Sequence, residues 1–219
     1  MAPSNIIVQR IDKPSEAMVE EAVKIFSDLM PKDPLAIALT GGNPTIISIM
    51  VRAMIKPLAL VSGEMYTATD QSGVMVAFTL CTRPGRNLFD TEGQLELGYH
   101  DLMKVLSEEG KAYHSQALKK DFPAFIDESI GITNTELNGY WCNFAFVRKD
   151  YQGKGIAKAL FKLAFDEANG ETFGLATTNP INVQIYEKIG LELKGYKLMK
   201  SPWIDWPVWI FAKKVEIVS

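Results

Sequence analysis

The chemistry in this sequence is concentrated in one segment, Phe144-Ala-Phe-Val-Arg-Lys-Asp-Tyr-Gln-Gly-Lys-Gly-Ile-Ala-Lys-Ala-Leu-Phe161, where an apolar strand pattern passes through a glycine-containing turn into a helical one. The first turn of a helix holds backbone N–H groups without internal partners and a partial positive charge, so a phosphate or diphosphate is stabilised there. Gly153 and Gly155 have no side chain to keep such an anion off the backbone, and Lys154 and Lys158 add positive charge. A Walker A loop would need Lys and then Ser or Thr directly after its last glycine, and Gly155 is followed by Ile156 and Ala157. A dinucleotide fingerprint would need a third glycine where Lys158 stands, and it would open the first βαβ unit rather than lie two-thirds of the way along the chain. Both nucleotide readings fall away, and the site is left as a turn that wants phosphate.

Gln152-Gly-Lys-Gly-Ile-Ala157 matches the Q/R-x-x-G-x-G/A signature and resembles the GNAT superfamily of N-acetyltransferases, which bind acetyl-coenzyme A. A second segment, Asn179-Pro-Ile-Asn-Val-Gln-Ile-Tyr186-Glu-Lys-Ile-Gly190-Leu191, is similar to the family's N-x-x-x-x-x-x-Y-x-K-x-G-F, departing only at Leu191, a packing position. The resemblance covers mainly residues 140–215. The Pro84-Gly85 break and a helical insertion at about 91–128 resemble fungal-type members. It implies a GNAT-like fold, a central mixed sheet in which the strands Tyr140–Val147 and Phe173–Thr178 splay apart with pantetheine in the gap. It further implies pantetheine amides paired with the backbone of Phe146, Val147 and Arg148, and a diphosphate on the N–H groups of Gln152, Gly153, Lys154, Gly155, Ile156 and Ala157. Asn179 or Asn182 would hold the pantetheine arm, with a helix cap as the competing role for Asn182. Tyr186 resembles the family's general acid. A phenol with pKa near ~10 gives its proton to a thiolate with conjugate pKa near ~8.5 at modest cost, whereas the plainer role for Tyr186 is an aromatic packed on the sheet.

Attack on a thioester needs a neutral amine, and an alkylamine near pKa ~10 is mostly protonated at neutral pH, so a base or a water chain must line the acceptor side. Glu64, Glu92, Glu96, Asp101, His100 and His114 are the available groups, and none is singled out. Backbone N–H groups near Phe146 or Val147 would serve the oxyanion. Tyr140, Trp141, Phe89, Trp203, Trp206 and Trp209 are candidate apolar lining for a small amine, although tryptophans at strand spacing are more often packing. Two His and two Cys at wide spacing give no metal-ligand pattern, and no G-x-S-x-G elbow is present.

The elements that must position these groups read as an α/β mixed sheet. Residues 5–11 form a strand, and Met18, Ala22, Ile25, Phe26 and Leu29 share a helical face closed by Pro31 and Pro34. Asn43 caps a further helix with Pro44 at its first position, ending at or before Lys56 because Pro57 disfavours helix for its predecessor. Strands 64–69 and 74–82 form an antiparallel hairpin, and residues 91–128 form two helices separated at Gly110. Strand 140–147, helix 153–169, strand 173–178, helix 183–189 and strands 193–199 and 208–215 complete a single domain over residues 1–219, with one parallel pair in the middle.

Composition bounds the partners. The 219 residues are 47% apolar and 22% charged, with 23 basic and 26 acidic side chains, so the basic footprint of a nucleic-acid binder is missing. Cys81 and Cys142 fall in apolar strands and read as reduced core thiols. The segment 44–62 is apolar but broken by Arg52, Lys56 and Pro57, which favours a buried helix over the ~20 apolar residues of a membrane span. With no signal-peptide pattern, the expected compartment is the cytoplasm. The expectation is an acetyl-CoA-dependent N-acetyltransferase, without metal, acting on a small-molecule primary amine by direct attack in a ternary complex, as monomer or homodimer. A protein or peptide N-acetyltransferase and a non-catalytic acyl-CoA sensor are the alternatives; the acceptor, the general base and the acyl length stay open.

Overall fold

The structure, a computed structural model, describes residues 2–217. Its strands are β1 (Ile7–Ile11), β2 (Gly63–Thr69), β3 (Met75–Thr82), β4 (Tyr140–Val147), β5 (Thr172–Thr177), β6 (Glu192–Met199) and β7 (Trp206–Lys214). They form one sheet in the order β1-β2-β3-β4-β5-β7-β6, antiparallel throughout except for the β4–β5 pair. The helices are α1 (Glu16–Leu29), α2 (Pro34–Leu39), α3 (Ile47–Pro57), α4 (Glu92–Gln94), α5 (His100–Val105), α6 (Glu108–Tyr113), α7 (Phe122–Ile130), α8 (Thr135–Asn138), α9 (Ile156–Glu167) and α10 (Ile181–Ile189). This is the mixed, helix-flanked sheet that the sequence implies.

Local chemistry sets the boundaries. In the β2–β3 turn the Asp70 carboxylate accepts from the N–H groups of Ser72 and Val74, and Gly73 takes φ +83°. β3 is central and buried at all eight positions. Ser15 caps α1 by accepting the Met18 N–H, and the α1 stripe Val19, Ala22, Val23, Ile25 and Phe26 is buried. Helices α1, α2, α3, α5, α6 and α7 belong to a core that includes Met50, Phe78, Trp141, Phe144 and Trp206; α9 and α10 join a second core with Tyr140, Phe161, Phe173, Tyr186 and Phe211 on the opposite face. Phe78, Phe161, Phe173 and Phe211 are fully buried, each contributing ~1.5–3 kcal/mol by leaving water.

Two expectations are corrected. α3 runs one residue past Lys56 and includes Pro57; the Leu58 N–H donates to Ile55 O, and a π-turn follows over Leu58–Ser62. In the insertion the break falls at Leu106, which is extended, with Ser107 capping α6 by accepting the Gly110 N–H, so Gly110 lies inside a helix rather than between two. The insertion is also more segmented than two helices, with π-turns at Leu95–Tyr99 and His114–Asp121. The apolar α3 packs on α1 and on the turn at 95–99, with Met50, Val51, Ala53 and Ile55 buried.

At the end of the sheet where β4 begins, Glu64 collects Arg10 and Arg83 at 2.8 Å each and the Tyr140 hydroxyl, while Glu167 of α9 pairs with both arginines. Burial alone would push the Glu64 carboxyl up, but hydrogen bonds from Arg83 and Tyr140 and the charges of both arginines outweigh it and hold it below the usual range. A carboxyl depressed in the folded state stabilises above its unfolded pKa, about 4.3, and loses that contribution as pH falls through the folded value. Glu64→Gln is therefore expected to cost about 2 kcal/mol at neutral pH, less than a fully buried pair because the arginines are part-exposed, with the deficit shrinking in acid. Urea denaturation of both proteins at several pH values checks the size and the sign.

Candidate functional site

The site begins with a defect in β4. Pairing with β3 slips between Leu80↔Phe144 and Cys81↔Cys142, so Asn143 is an extra residue, a β-bulge. Trp141 and Phe144 both join the core on the α1 side, and the Asn143 amide donates to Thr82 Oγ1 and to the Trp141 carbonyl, both at 3.3 Å. The bend carries β4 away from β5. The two are paired only at Tyr140–Cys142 and Phe173–Leu175, whereas β5 continues against β7 as far as Thr177↔Trp209. A gap opens between residues 143–147 and the end of β5.

One edge of this gap is backbone that no neighbouring strand pairs. The Arg148 N–H donates to Val76 O at 2.8 Å. Because hydrogen-bonded pairs alternate along an antiparallel ladder, Phe146 also faces β3, while Ala145 and Val147 turn their N–H and C=O groups into the gap. Of the three residues singled out in the sequence, Val147 thus faces the gap. Arg148 instead anchors β3, its Nε donating to Met75 O at 2.7 Å, and the Phe146 ring packs on Phe26 at 5.0 Å. The Val147 carbonyl accepts from Gln152 Nε2 at 3.0 Å.

Beyond β4 a 3-10 turn at Lys149–Tyr151 leads to Gly153 and Gly155 in the left-handed region, φ +73° and +75°, and Gly155 caps α9. Nothing lies within 4 Å of where a Gly153 Cβ would be. The Gln152 N–H is committed to Lys149 O at 3.3 Å; Ile156 and Ala157 open the helix, and Ala159 makes the first bond back, to Gly155 O. Lys154 and Lys158 are exposed, the former over the Tyr151 ring at 5.1 Å. The glycine conformations allow an anion to reach backbone N–H groups at a helix N-terminus flanked by two ammonium groups.

Across the gap, Asn179 Oδ1 accepts from the N–H of Ile181, the first residue of α10, and Asn182 Nδ2 donates to Thr177 Oγ1 at 3.0 Å. Tyr186 is buried on the α9 face against Phe161 and Phe211, near Cys142 at the foot of the gap. Burial pushes its hydroxyl above the ordinary phenol range, so it is held protonated.

The opposite face supplies a carboxylate that the sequence reading did not single out. Asp33 caps α2 through the Leu35 and Ala36 N–H groups, and its second oxygen accepts from Thr178 Oγ1 at 2.8 Å, directly beyond the end of β5. Burial pushes the Asp33 carboxyl up, against the lowering effect of these three hydrogen bonds. Its signal lies in the sequence: Asp before Pro34 is a helix start, although the same proline also closes the helix before it. The six base candidates lie elsewhere or are occupied. Glu64 is at the closed end of the sheet; His100 pairs with Glu92 at 3.1 Å and Asp101 with Lys104 at 2.8 Å, both in exposed positions; Glu96 is exposed; and buried His114 bonds to Leu39 O. Among the aromatic candidates, Trp203 and Trp206 lie at the gap end on the α2 face, with Trp206 Nε1 donating to Tyr113. Trp141 is core on that face, Tyr140 and Trp209 belong to the opposite face, and Phe89 packs on Tyr99. Among the described residues no cluster of His, Cys, Asp and Glu could hold a metal ion.

Residues 102–201 match the sequence profile of the acetyltransferase (GNAT) domain family. Solved structures align over nearly the whole chain. A histone acetyltransferase HPA2 and related acetyltransferase from Corynebacterium glutamicum aligns at TM-score 0.60 and 16% identity, over 100% of this chain and 98% of its own. Arylalkylamine N-acetyltransferase 2 from Aedes aegypti aligns at 0.60 and 14%, over 97% and 100%. The polyamine N-acetyltransferase of Drosophila melanogaster aligns at 0.59 and 10%, over 95% and 99%. At these identities the likeness is one of fold. No curated protein sequence matches the chain. Residues 102–201 are thus similar to a GNAT acetyltransferase domain, and the chain as a whole shares the fold of these acetyltransferase structures.

Gly155→Val places a β-branched residue in a left-handed conformation. It is expected to cost roughly 1–2 kcal/mol of stability and, if the turn is a diphosphate site, to weaken binding of a diphosphate ligand such as coenzyme A at least about tenfold. Urea denaturation and calorimetric titration check the two effects separately.

Proposed function

We propose that this protein is an acetyl-CoA-dependent N-acetyltransferase that acetylates the primary amine of a small molecule by direct attack in a ternary complex. The observation that carries this reading is the parting of β4 from β5 after three residue pairs, beside a helix N-terminus opened by two left-handed glycines. Pantetheine is an extended chain with two amides, and the backbone of Ala145 and Val147 offers it a strand edge. The diphosphate belongs on the turn from Gly153 to Ala157, with Lys154 and Lys158 beside it. Gln152 shapes that turn through Val147, and Asn179 and Asn182 border the far side of the gap.

The reactive groups divide between the faces. Asp33 stands on the α2 face, from which the amine enters, and Tyr186 on the α9 face. Asp33 accepts a proton from the amine, directly or through water, the nitrogen bonds to the acetyl carbon, and a backbone N–H on the β4 edge of the gap that pantetheine does not use stabilises the oxyanion. The carbon–sulfur bond then breaks and Tyr186 protonates the sulfur. A raised Asp33 pKa makes it a better acceptor for an amine proton than a solvated carboxylate, and a neutral phenol is the form that can donate. The α2 face is covered by α6 and by Trp203, which sits on Gly42, supporting a small acceptor over a long peptide. The aligned structures come from a bacterium and two insects, so nothing in them ties the insertion to fungal-type members.

Tyr186→Phe is expected to keep acetyl-CoA affinity while kcat falls about 100-fold, the usual size of a lost general acid. Calorimetry and release of free thiol with a panel of amines measure the two separately. Unchanged turnover would remove the assignment, and binding without turnover in the wild type would favour a sensor. Thr178→Val removes a hydrogen bond to the charged form of Asp33, so its pKa rises and the acid limb of kcat/KM moves to higher pH. A pH–rate profile of both proteins checks the direction.

A further inference from the structure

Buried polar contacts join the helical insertion to the acceptor side at Tyr113 and at His114, and the one from His114 reaches α2. His114 Nε2 lies 2.6 Å from Leu39 O, the last carbonyl of α2. A carbonyl only accepts, so Nε2 carries the proton, and burial lowers the imidazole pKa and keeps the ring neutral. The carbonyls before it are satisfied locally. Ala36 O and Ile37 O accept from Thr40 Oγ1 and Ala38 O accepts from the Gly41 N–H; His114 is the donor to Leu39 O among the described residues. At the other end of the same six-residue helix stands Asp33, joined to Thr178. A helix of that length spans about 9 Å, so fixing its C-terminal carbonyl fixes its N-cap carboxylate as well. His114 also opens the π-turn at His114–Asp121, a register that is frequent at functional sites. Its neighbour Tyr113 accepts from Trp206 Nε1 at 2.6 Å, which holds this turn against the first residue of β7.

We propose that His114 is a positioning residue for amine acetylation, holding the C-terminus of α2 so that Asp33 stays aimed at the acceptor side of the gap. The inference rests on the role given to Asp33 above. It assigns the insertion a part in acceptor use and none in cofactor binding, because His114 lies on the face opposite α9.

The test is steady-state kinetics on the full chain with the amine turned over best, alongside calorimetric titration of acetyl-CoA. His114→Leu removes the donor, His114→Asn keeps an amide that falls short of Leu39 O, and His114→Gln places an amide nitrogen near the position of Nε2. The Leu and Asn variants are expected to lose about tenfold or more in kcat/KM for the amine with acetyl-CoA affinity unchanged, and His114→Gln to recover most of it. A double-mutant cycle of His114→Asn with Thr178→Val is expected to be non-additive, since both act through α2. If His114→Leu fails to fold, the Asn and Gln variants and the cycle decide. Wild-type kcat/KM in His114→Asn, equal losses in the Asn and Gln variants, or additive losses in the cycle would overturn the proposal. If Asp33→Asn also leaves turnover intact, the reading of Asp33 fails; if Asp33→Asn abolishes turnover while His114 variants do not matter, only the present inference fails.

Discussion

A backbone N–H that leaves its ladder must find another partner, and the site is built around two such groups. The Asn143 bulge is the origin. It turns β4 out of register, ends its pairing with β5 at Cys142, and leaves the N–H groups of Ala145 and Val147 facing a gap instead of a strand. Buried strands seldom leave such groups unpaired, because a donor with no acceptor costs about 1–3 kcal/mol. A ligand with an extended amide backbone satisfies them, and the same bend aims the following turn so that the N-terminus of α9 meets the end of the gap.

The rest of the fold holds that defect open. On one side Arg148 is fastened to β3 by its main chain and its Nε, and Phe144 and Phe146 are packed on Phe26 of α1, so β4 cannot swing back toward β5. On the other, β5 is held by its full ladder with β7. At the closed end, Glu64 with Arg10, Arg83, Glu167 and Tyr140 ties β1 to β4 and the end of α9 together. The two faces then differ in chemistry. The α9 face is aromatic around a protonated Tyr186, whereas the α2 face carries a half-buried carboxylate at Asp33.

Much of this was legible in the sequence, and the reasons differ by element. The boundaries of β4 and the order of β4, α9, β5 and α10 follow from clean apolar periodicity punctuated by glycine. The turn at Gly153 and Gly155 was legible because few residues adopt left-handed conformations. The bulge was less visible, although Trp141-Cys-Asn-Phe144 carries its trace: Trp141 and Phe144 are out of phase for a regular strand. Asp33 was hidden by the double meaning of proline, which stops one helix and starts the next. Pro57 misled for a related reason, since proline only disfavours helix for the residue before it, and here the helix runs through it into a π-turn. The segmentation of the insertion depends on tertiary contacts such as His114 with Leu39, which periodicity does not encode. The position of Glu64, far from the gap, was a matter of topology that residue type alone does not reveal.

The most direct measurement is amide hydrogen exchange of β4, residue by residue, with and without saturating acetyl-CoA. Ala145 and Val147 are expected to exchange readily in the free protein and to become strongly protected on binding, while Phe146 and Arg148, already bonded toward β3, change little. Unaltered exchange at Ala145 and Val147 under saturating cofactor would contradict this.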